Sequence, residues 1–109
     1  MEDNPQKRLF ELRAEIAKAL SHPIRLKMVD ILNNEGDKCV CELTEVLDLS
    51  QPSISKHLKI LKNSGIVSSK KKGVKTYYSL STPCVINFFK CMDEVLKEDL
   101  TRNDLISYL

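Results

Sequence analysis

A chain of 109 residues that is 42% hydrophobic and holds no Trp is long enough for one compact core and short for two. No apolar run approaches the roughly 18 residues of a membrane span and nothing near Met1-Glu2-Asp3 looks like a secretory leader, so a single cytoplasmic domain with no membrane partner is expected. In that compartment the four cysteines stay reduced, which disfavours a disulfide framework and leaves buried thiols, metal ligands or redox sensors.

The net charge of +2 conceals an asymmetry. Residues 1–48 carry seven Lys/Arg against ten Asp/Glu, residues 49–92 carry eight Lys and no acid, and residues 93–109 carry two basic and five acidic residues. Solvated faces usually mix their signs, whereas a long block without a carboxylate is what a polyanion-binding surface looks like in sequence.

Pro5 to Leu20 reads as a first helix, with Leu9, Leu12, Ile16 and Leu20 on one stripe and Phe10 and Ala17 widening it. So broad an apolar surface near a terminus suits a partner subunit. Ser21-His22-Pro23 interrupts the pattern and restarts it, because proline is tolerated in a first helical turn. A second helix, Ile24 to Asn34, is expected to bury Ile24, Met28, Ile31 and Leu32 and to stop at Glu35-Gly36-Asp37. A short third helix from about Cys41 to Asp48 turns Leu43, Val46 and Leu47 inward, and Asp48-Leu49-Ser50 forms the tight turn after it.

The stretch from Ser50 to Gly65 organises the rest. At about 100° per residue, Ile54, Leu58 and Leu61 fall within a narrow arc, with Pro52, Ser55, Lys56, Lys59 and Asn63 opposite. Ser50 is placed to cap the helix, and Gly65 sits where a left-handed C-terminal cap is wanted. Two helices joined by so few residues, the second basic and hydroxylated on its outer face, make a helix-turn-helix. Beyond Gly65 the period changes to 2: Ile66 to Lys70 and Lys75 to Leu80 form the arms of a hairpin around the basic tip Lys71-Lys72-Gly73-Val74. A hairpin directly behind a helix-turn-helix is a wing. Ser81-Thr82-Pro83 then opens a last helix from Cys84 to about Asp99, and residues 101–109 have room for a short terminal turn or helix. The expected fold is therefore mostly α with a β-hairpin wing, a winged helix-turn-helix of order α1-α2-α3-α4-β-β-α5. It fills residues 1–109 as one domain, with the helix-turn-helix at about 41–64 and the wing at about 66–80.

From that geometry Gln51, Ser53, Ser55, Lys56 and Lys59 are the side chains able to reach base edges or phosphates from the major groove. Lys70, Lys71, Lys72 and Lys75 are the wing's contribution. His57 lies beside the buried arc, where a packed histidine and a DNA contact are both open readings.

Cys39-Val40-Cys41 is the sharpest chemical feature. Residues two apart on a helix point about 200° apart, so the pair can share an ion only if Cys39 precedes the helix or the first turn unwinds. A helix N-terminus depresses a thiol pKa, which makes Cys41 the more reactive of the two. Cys84 and Cys91, about 10.5 Å apart in rise along one helix, cannot meet within a chain. They are further sensing candidates across a subunit seam, or two small apolar residues within it.

His22-Pro23-Ile24-Arg25-Leu26, Cys39-Val40-Cys41-Glu42-Leu43, the Ser-Gln-Pro-x-x-Ser-x-His-Leu run from Ser50 to Leu58, Gly65-Ile66-Val67, Lys72-Gly73 and Tyr77-Tyr78-Ser79-Leu80 together resemble the ArsR/SmtB family of repressors. The likeness spans about residues 9–98. It implies a homodimer, with dimerisation helices at about 5–20 and 83–99, that binds double-stranded operator DNA and is released by a thiophilic metal, a metalloid or an oxidant. In the arsenic-responsive branch the CysValCys stretch supplies two of three thiolates, and the position of the third is Thr44 here. The cadmium/lead branch adds cysteines from an N-terminal segment, and residues 1–38 hold none. The family's carboxylate–histidine zinc site on the last helix meets Thr82, Cys84, Val95 and Glu98 in this chain, which do not make it.

The leading expectation is thus a transcriptional repressor that requires no cofactor and is released by As(III), Sb(III) or a soft divalent metal at Cys39 and Cys41. The alternatives are a repressor switched by oxidation of those thiols and a winged-helix interaction module that binds no DNA, which would leave the basic block without a purpose. No nucleophile, base and orienter set supports catalysis, and Cys-x-Cys is not the Cys-x-x-Cys of a thiol oxidoreductase.

Overall fold

The computed structural model describes residues 4–100 and 108–109, with side chains omitted for 98–100. In order, the elements are α1 (Pro5–Leu20), α2 (Pro23–Glu35), β1 (Lys38–Cys39), α3 (Val40–Leu47), α4 (Gln51–Asn63), β2 (Val67–Lys72), β3 (Lys75–Leu80), a 3₁₀ turn (Pro83–Val85) and α5 (Ile86–Leu100). The expected terminal turn lies, as far as residue 107, outside the described residues, as does the Glu98 side chain.

Helix starts are set by side chains that accept amide protons the first turn cannot satisfy. Asn4 Oδ1 takes the amide of Gln6 at 2.9 Å, His22 Nδ1 that of Ile24 at 3.1 Å and Ser50 Oγ that of Ser53 at 3.3 Å, each followed by a proline in the first turn. Helix α4 ends in a Schellman motif. Gly65 has φ +86°, its amide donates to the Lys62 carbonyl and the Ile66 amide to the Leu61 carbonyl, both at 3.0 Å. Asp48 closes α3 at φ +53°, a left-handed conformation that Asp tolerates better than most residues.

The core is the side that these helices share. Met28, Val29, Leu43, Ile54, Leu58 and Leu61 are fully buried, and Leu32, Ile66 and Val67 extend the cluster to the base of the wing. The sheet has the order β1-β3-β2, all antiparallel, with Val67 opposite Leu80 and Lys72 opposite Lys75. Gly73, at φ +65°, and Val74 form the two-residue turn at the tip, a geometry in which glycine leads.

Several expectations are corrected. A third strand, β1, pairs Lys38 with Tyr78 and Cys39 with Tyr77, and two residues are too few to show alternation in sequence. Helix α3 begins at Val40 rather than Cys41, and Val46 is 52% exposed because half-buried Val40 and Leu47 turn the inward arc the other way. Val29 is buried while Ile24 is only half-buried. Pro83 opens a 3₁₀ turn, so Cys84 precedes α5 and does not share a helical face with Cys91. Leu9, Phe10, Leu12 and Ile16 of α1 and Phe88, Val95 and Leu96 of α5 remain exposed in the single chain. No described helix is long and apolar enough to cross a membrane.

The core assignment predicts a contrast. Leu58→Ala lowers unfolding free energy by about 2–5 kcal/mol, and Val46→Ala changes it by no more than about 0.5 kcal/mol. Urea denaturation of the two variants measures both, and equal losses would place Val46 in the core.

Candidate nucleic-acid interface and thiol pair

Because Ile54, Leu58 and Leu61 are held inward, the rest of α4 has no choice of direction. Gln51, Ser55, Lys56 and Lys59 are exposed and Ser53 is half-buried at the N-terminal end. Lys70, Lys71, Lys72 and Lys75 are exposed on the hairpin that follows. The Lys72 ammonium lies 5.5 Å from the centre of the Tyr77 ring, a cation–π contact that keeps its stem along the wing. Lys62, which the sequence does not single out, donates to Ser69 Oγ at 2.6 Å and so ties the last turn of α4 to β2. The two basic surfaces are consequently parts of one body. Hydroxyl and amide groups suited to base edges sit on the helix, and point charges suited to phosphates sit on helix and wing.

His57 does not join that outer set. Its Nδ1 is 3.1 Å from Arg25 Nη1 and its ring lies 4.5 Å, centre to centre, from that of His22. Its place on the flank of α4 brings it against α2. Burial, and then the nearby His22, Arg25 and Lys56, hold its pKa below the ordinary 6.5. Arg25 itself had no signal in sequence, since one Arg between Ile24 and Leu26 looks like any outward position of an amphipathic helix.

The thiol pair is built at a junction. Cys39 is the last residue of β1 and also the N-cap of α3, with extended backbone at φ −86° and ψ 168°. That conformation removes the helical divergence: the Cα atoms of Cys39 and Cys41 are 5.5 Å apart and their sulfurs are in contact as a disulfide. Cys39 is buried and Cys41 exposed, so the pair is reached from solvent through Cys41. The Cys39 amide donates to Glu42 Oε1 at 3.0 Å, which fixes the start of the helix. Thr44 Oγ1 donates to the Cys41 carbonyl at 2.7 Å. Among the described residues no group of three or more His, Cys, Asp or Glu side chains is placed to hold a metal ion. Cys84 and Cys91 are exposed free thiols, in the 3₁₀ turn and in α5.

Comparison with known proteins follows the same outline. The model of the bacterial regulatory protein, arsR family, matches residues 22–69, from the start of α2 into β2. The chain is 40% identical over 86 residues to an HTH-type transcriptional regulator of Methanocaldococcus jannaschii, spanning 79% of this chain and 97% of that one. It is 39% identical over 85 residues to the arsenical resistance operon repressor of Escherichia coli, spanning 78% of this chain and 73% of that one. Its fold superposes, with a TM-score of 0.78 at 24% identity over 94% of each chain, on a homodimeric winged helix-turn-helix DNA-binding domain from Mycobacterium bovis. These relatives are DNA-binding regulators and not enzymes. With a basic helix and wing on one body, and repressors matching it over most of its length, the chain belongs to the ArsR family of DNA-binding transcriptional repressors.

Proposed function

We propose that this chain is a cytoplasmic, homodimeric repressor that docks on operator DNA through the outer face of α4 and the wing and is released when a thiol-reactive inducer engages Cys39 and Cys41. The observation that carries the sensing half is the convergence of the two sulfurs at the β1–α3 junction. Support for the dimer comes from the unpartnered apolar faces of α1 and α5 and from the homodimeric state of the Mycobacterium bovis domain. Support for arsenite as inducer comes from the Escherichia coli relative, an arsenical resistance operon repressor. When reduced and deprotonated, Cys39 and Cys41 present a soft, anionic pair that suits As(III), Sb(III) or a soft divalent metal. The Thr44 hydroxyl supplies no soft third donor.

Release follows from what the pair is attached to. Bridging Cys39 to Cys41 fixes the angle at which α3 leaves β1, α3 packs on α4, and β1 is hydrogen-bonded to β3 of the wing. Inducer binding therefore acts on both DNA-contacting elements, and the favoured conformation shifts by the difference in inducer affinity between the two states.

A second reading, oxidation, is favoured by the want of a three-donor set among the described residues and by the 5.5 Å Cα separation, which a disulfide spans without backbone movement. Peroxide would take two electrons and two protons from the thiols, giving one disulfide and two waters.

The inducer is identified by anisotropy titration of a selected operator duplex with arsenite, antimonite, cadmium, lead, zinc and peroxide. Arsenite is expected to weaken binding of the reduced dimer about tenfold or more, and Cys39→Ser or Cys41→Ser to stay bound. Release by peroxide alone, with a loss of two hydrogens by mass, selects oxidation; equal release of the serine variants removes the thiol pair from the mechanism. The docking surface is tested by salt. If each protomer neutralises about four phosphates, log Kobs falls against log salt with a slope near −7, and Lys71→Ala, present twice in the dimer, flattens it by about 2. A slope shallower than about −3 excludes the basic block as the docking surface.

A further inference from the structure

Arg25, at 9% exposure, is the only buried charged side chain among the described residues, and it touches three helices. Its Nε donates to the Ala19 carbonyl and its Nη2 to the Lys18 carbonyl at 3.4 Å, both in the last turn of α1, while Nη1 donates to His57 Nδ1 of α4 at 3.1 Å. A guanidinium has donors only and keeps its charge at any physiological pH. The bond to His57 therefore requires a lone pair on Nδ1, which fixes His57 as the neutral tautomer with its proton on Nε2.

We propose that Arg25 is a positioning residue for DNA binding: through neutral His57 it holds the recognition helix against the α1–α2 junction, and protonation of His57 releases that hold and weakens the grip on DNA. Protonation removes the acceptor lone pair and sets an imidazolium against a guanidinium. Arg25 cannot respond by losing its own proton, and two carbonyls of α1 keep it in place, so the strain falls on α4. The groups facing His57 all oppose its charging. From α2 these are His22, whose Nδ1 already accepts the Ile24 amide, and Arg25; from α4 itself there is Lys56. Glu15 and Lys18 of α1 line the adjoining groove with Arg25. Burial adds to the same direction, so His57 stays neutral to lower pH than an exposed histidine. The unfolded chain takes up this proton near 6.5 and the folded chain only below it. This residue's contribution to stability is thus complete above 6.5 and declines as pH falls below that value.

The sign makes the effect separable from general electrostatics. Acid adds positive charge, which strengthens attachment to a polyanion, whereas release through His57 weakens it. The affinity part rests on α4 being the DNA-reading helix. Binding of wild type and His57→Gln to the selected duplex is measured from about pH 7.5 to 5.5, with His57→Gln offering Arg25 a neutral amide oxygen at every pH. The expected result is a severalfold loss in wild type that deepens as pH falls below 6.5, and no loss in His57→Gln, which matches wild type within about twofold at pH 7.5. Identical pH profiles would overturn the proposal. A DNA-free arm follows the amide resonances of α4 and Ala19: they are expected to move together with the His57 ring in wild type and to stay fixed in His57→Gln. An imidazole that titrates alone would overturn the coupling. Absence of binding by both proteins at pH 7.5 would instead overturn the DNA-reading face, and the resonance arm still decides the coupling.

Discussion

Ile54, Leu58 and Leu61 have no exposed surface, and their burial against Leu43 and the Met28–Val29 side of α2 is the contact on which the rest of the molecule depends. Each side chain of this size contributes about 1.5–3 kcal/mol when it leaves water, so α4 has one strongly preferred rotational setting. Turning it by one residue, about 100°, would bring charged positions into the core. The outward face of Gln51, Ser55, Lys56 and Lys59 is accordingly a consequence of the inward one. The same core sets the wing. The Schellman bonds at Gly65 aim the chain so that Ile66 and Val67 enter the cluster, and β2 leaves from there toward its basic tip. Helix and wing are thus placed by one apolar cluster before any nucleic acid is present.

What the sequence disclosed follows from which forces are local. The helix-turn-helix was legible because apolar residues recur at the helical period in α2 and α4 and because Ser50 and Gly65 mark the ends of α4. The hairpin was legible because the period drops to 2 around Lys72-Gly73. Strand β1 was not, because its only reason to be extended is the edge that Tyr77 and Tyr78 offer from elsewhere in the chain. The short helix α3 misled at Val46, since eight residues give too little periodicity to fix where the buried arc is centred. Arg25 and His57 are 32 positions apart, and neither residue type nor spacing announces a contact made by tertiary packing.

Of the candidate site, the residue types were legible and the geometry was not. Cys39-Val40-Cys41 reads as a chelating pair only when the backbone around Cys39 is extended, and that depends on β1. The wing lysines stand out in sequence by charge alone, while Lys62, equally basic, serves as a tie between α4 and β2. Position on the fold divides residues of the same type into those that form an exposed basic face and those that hold that face in shape.

Helix α4 is gripped from two sides, and the two grips differ in chemistry. Helix α3, which is capped by Cys39, presents Leu43 to it, so anything that alters the start of α3 alters an apolar support. Helix α2 presents Arg25 to it, so anything that alters the charge of His57 alters a polar one. An apolar support is insensitive to pH, and a buried charged hydrogen bond is insensitive to a thiol reagent two elements away. Under the proposed function the recognition helix therefore receives two signals through contacts that share no atoms. Their effects on DNA affinity add unless α4 moves as a unit, in which case freeing either side loosens the other. The Schellman end and the Lys62–Ser69 bond join α4 to the wing at its far end, which favours motion as a unit. Coupling between the thiol pair and His57 is then a property of the stiffness of a single thirteen-residue helix.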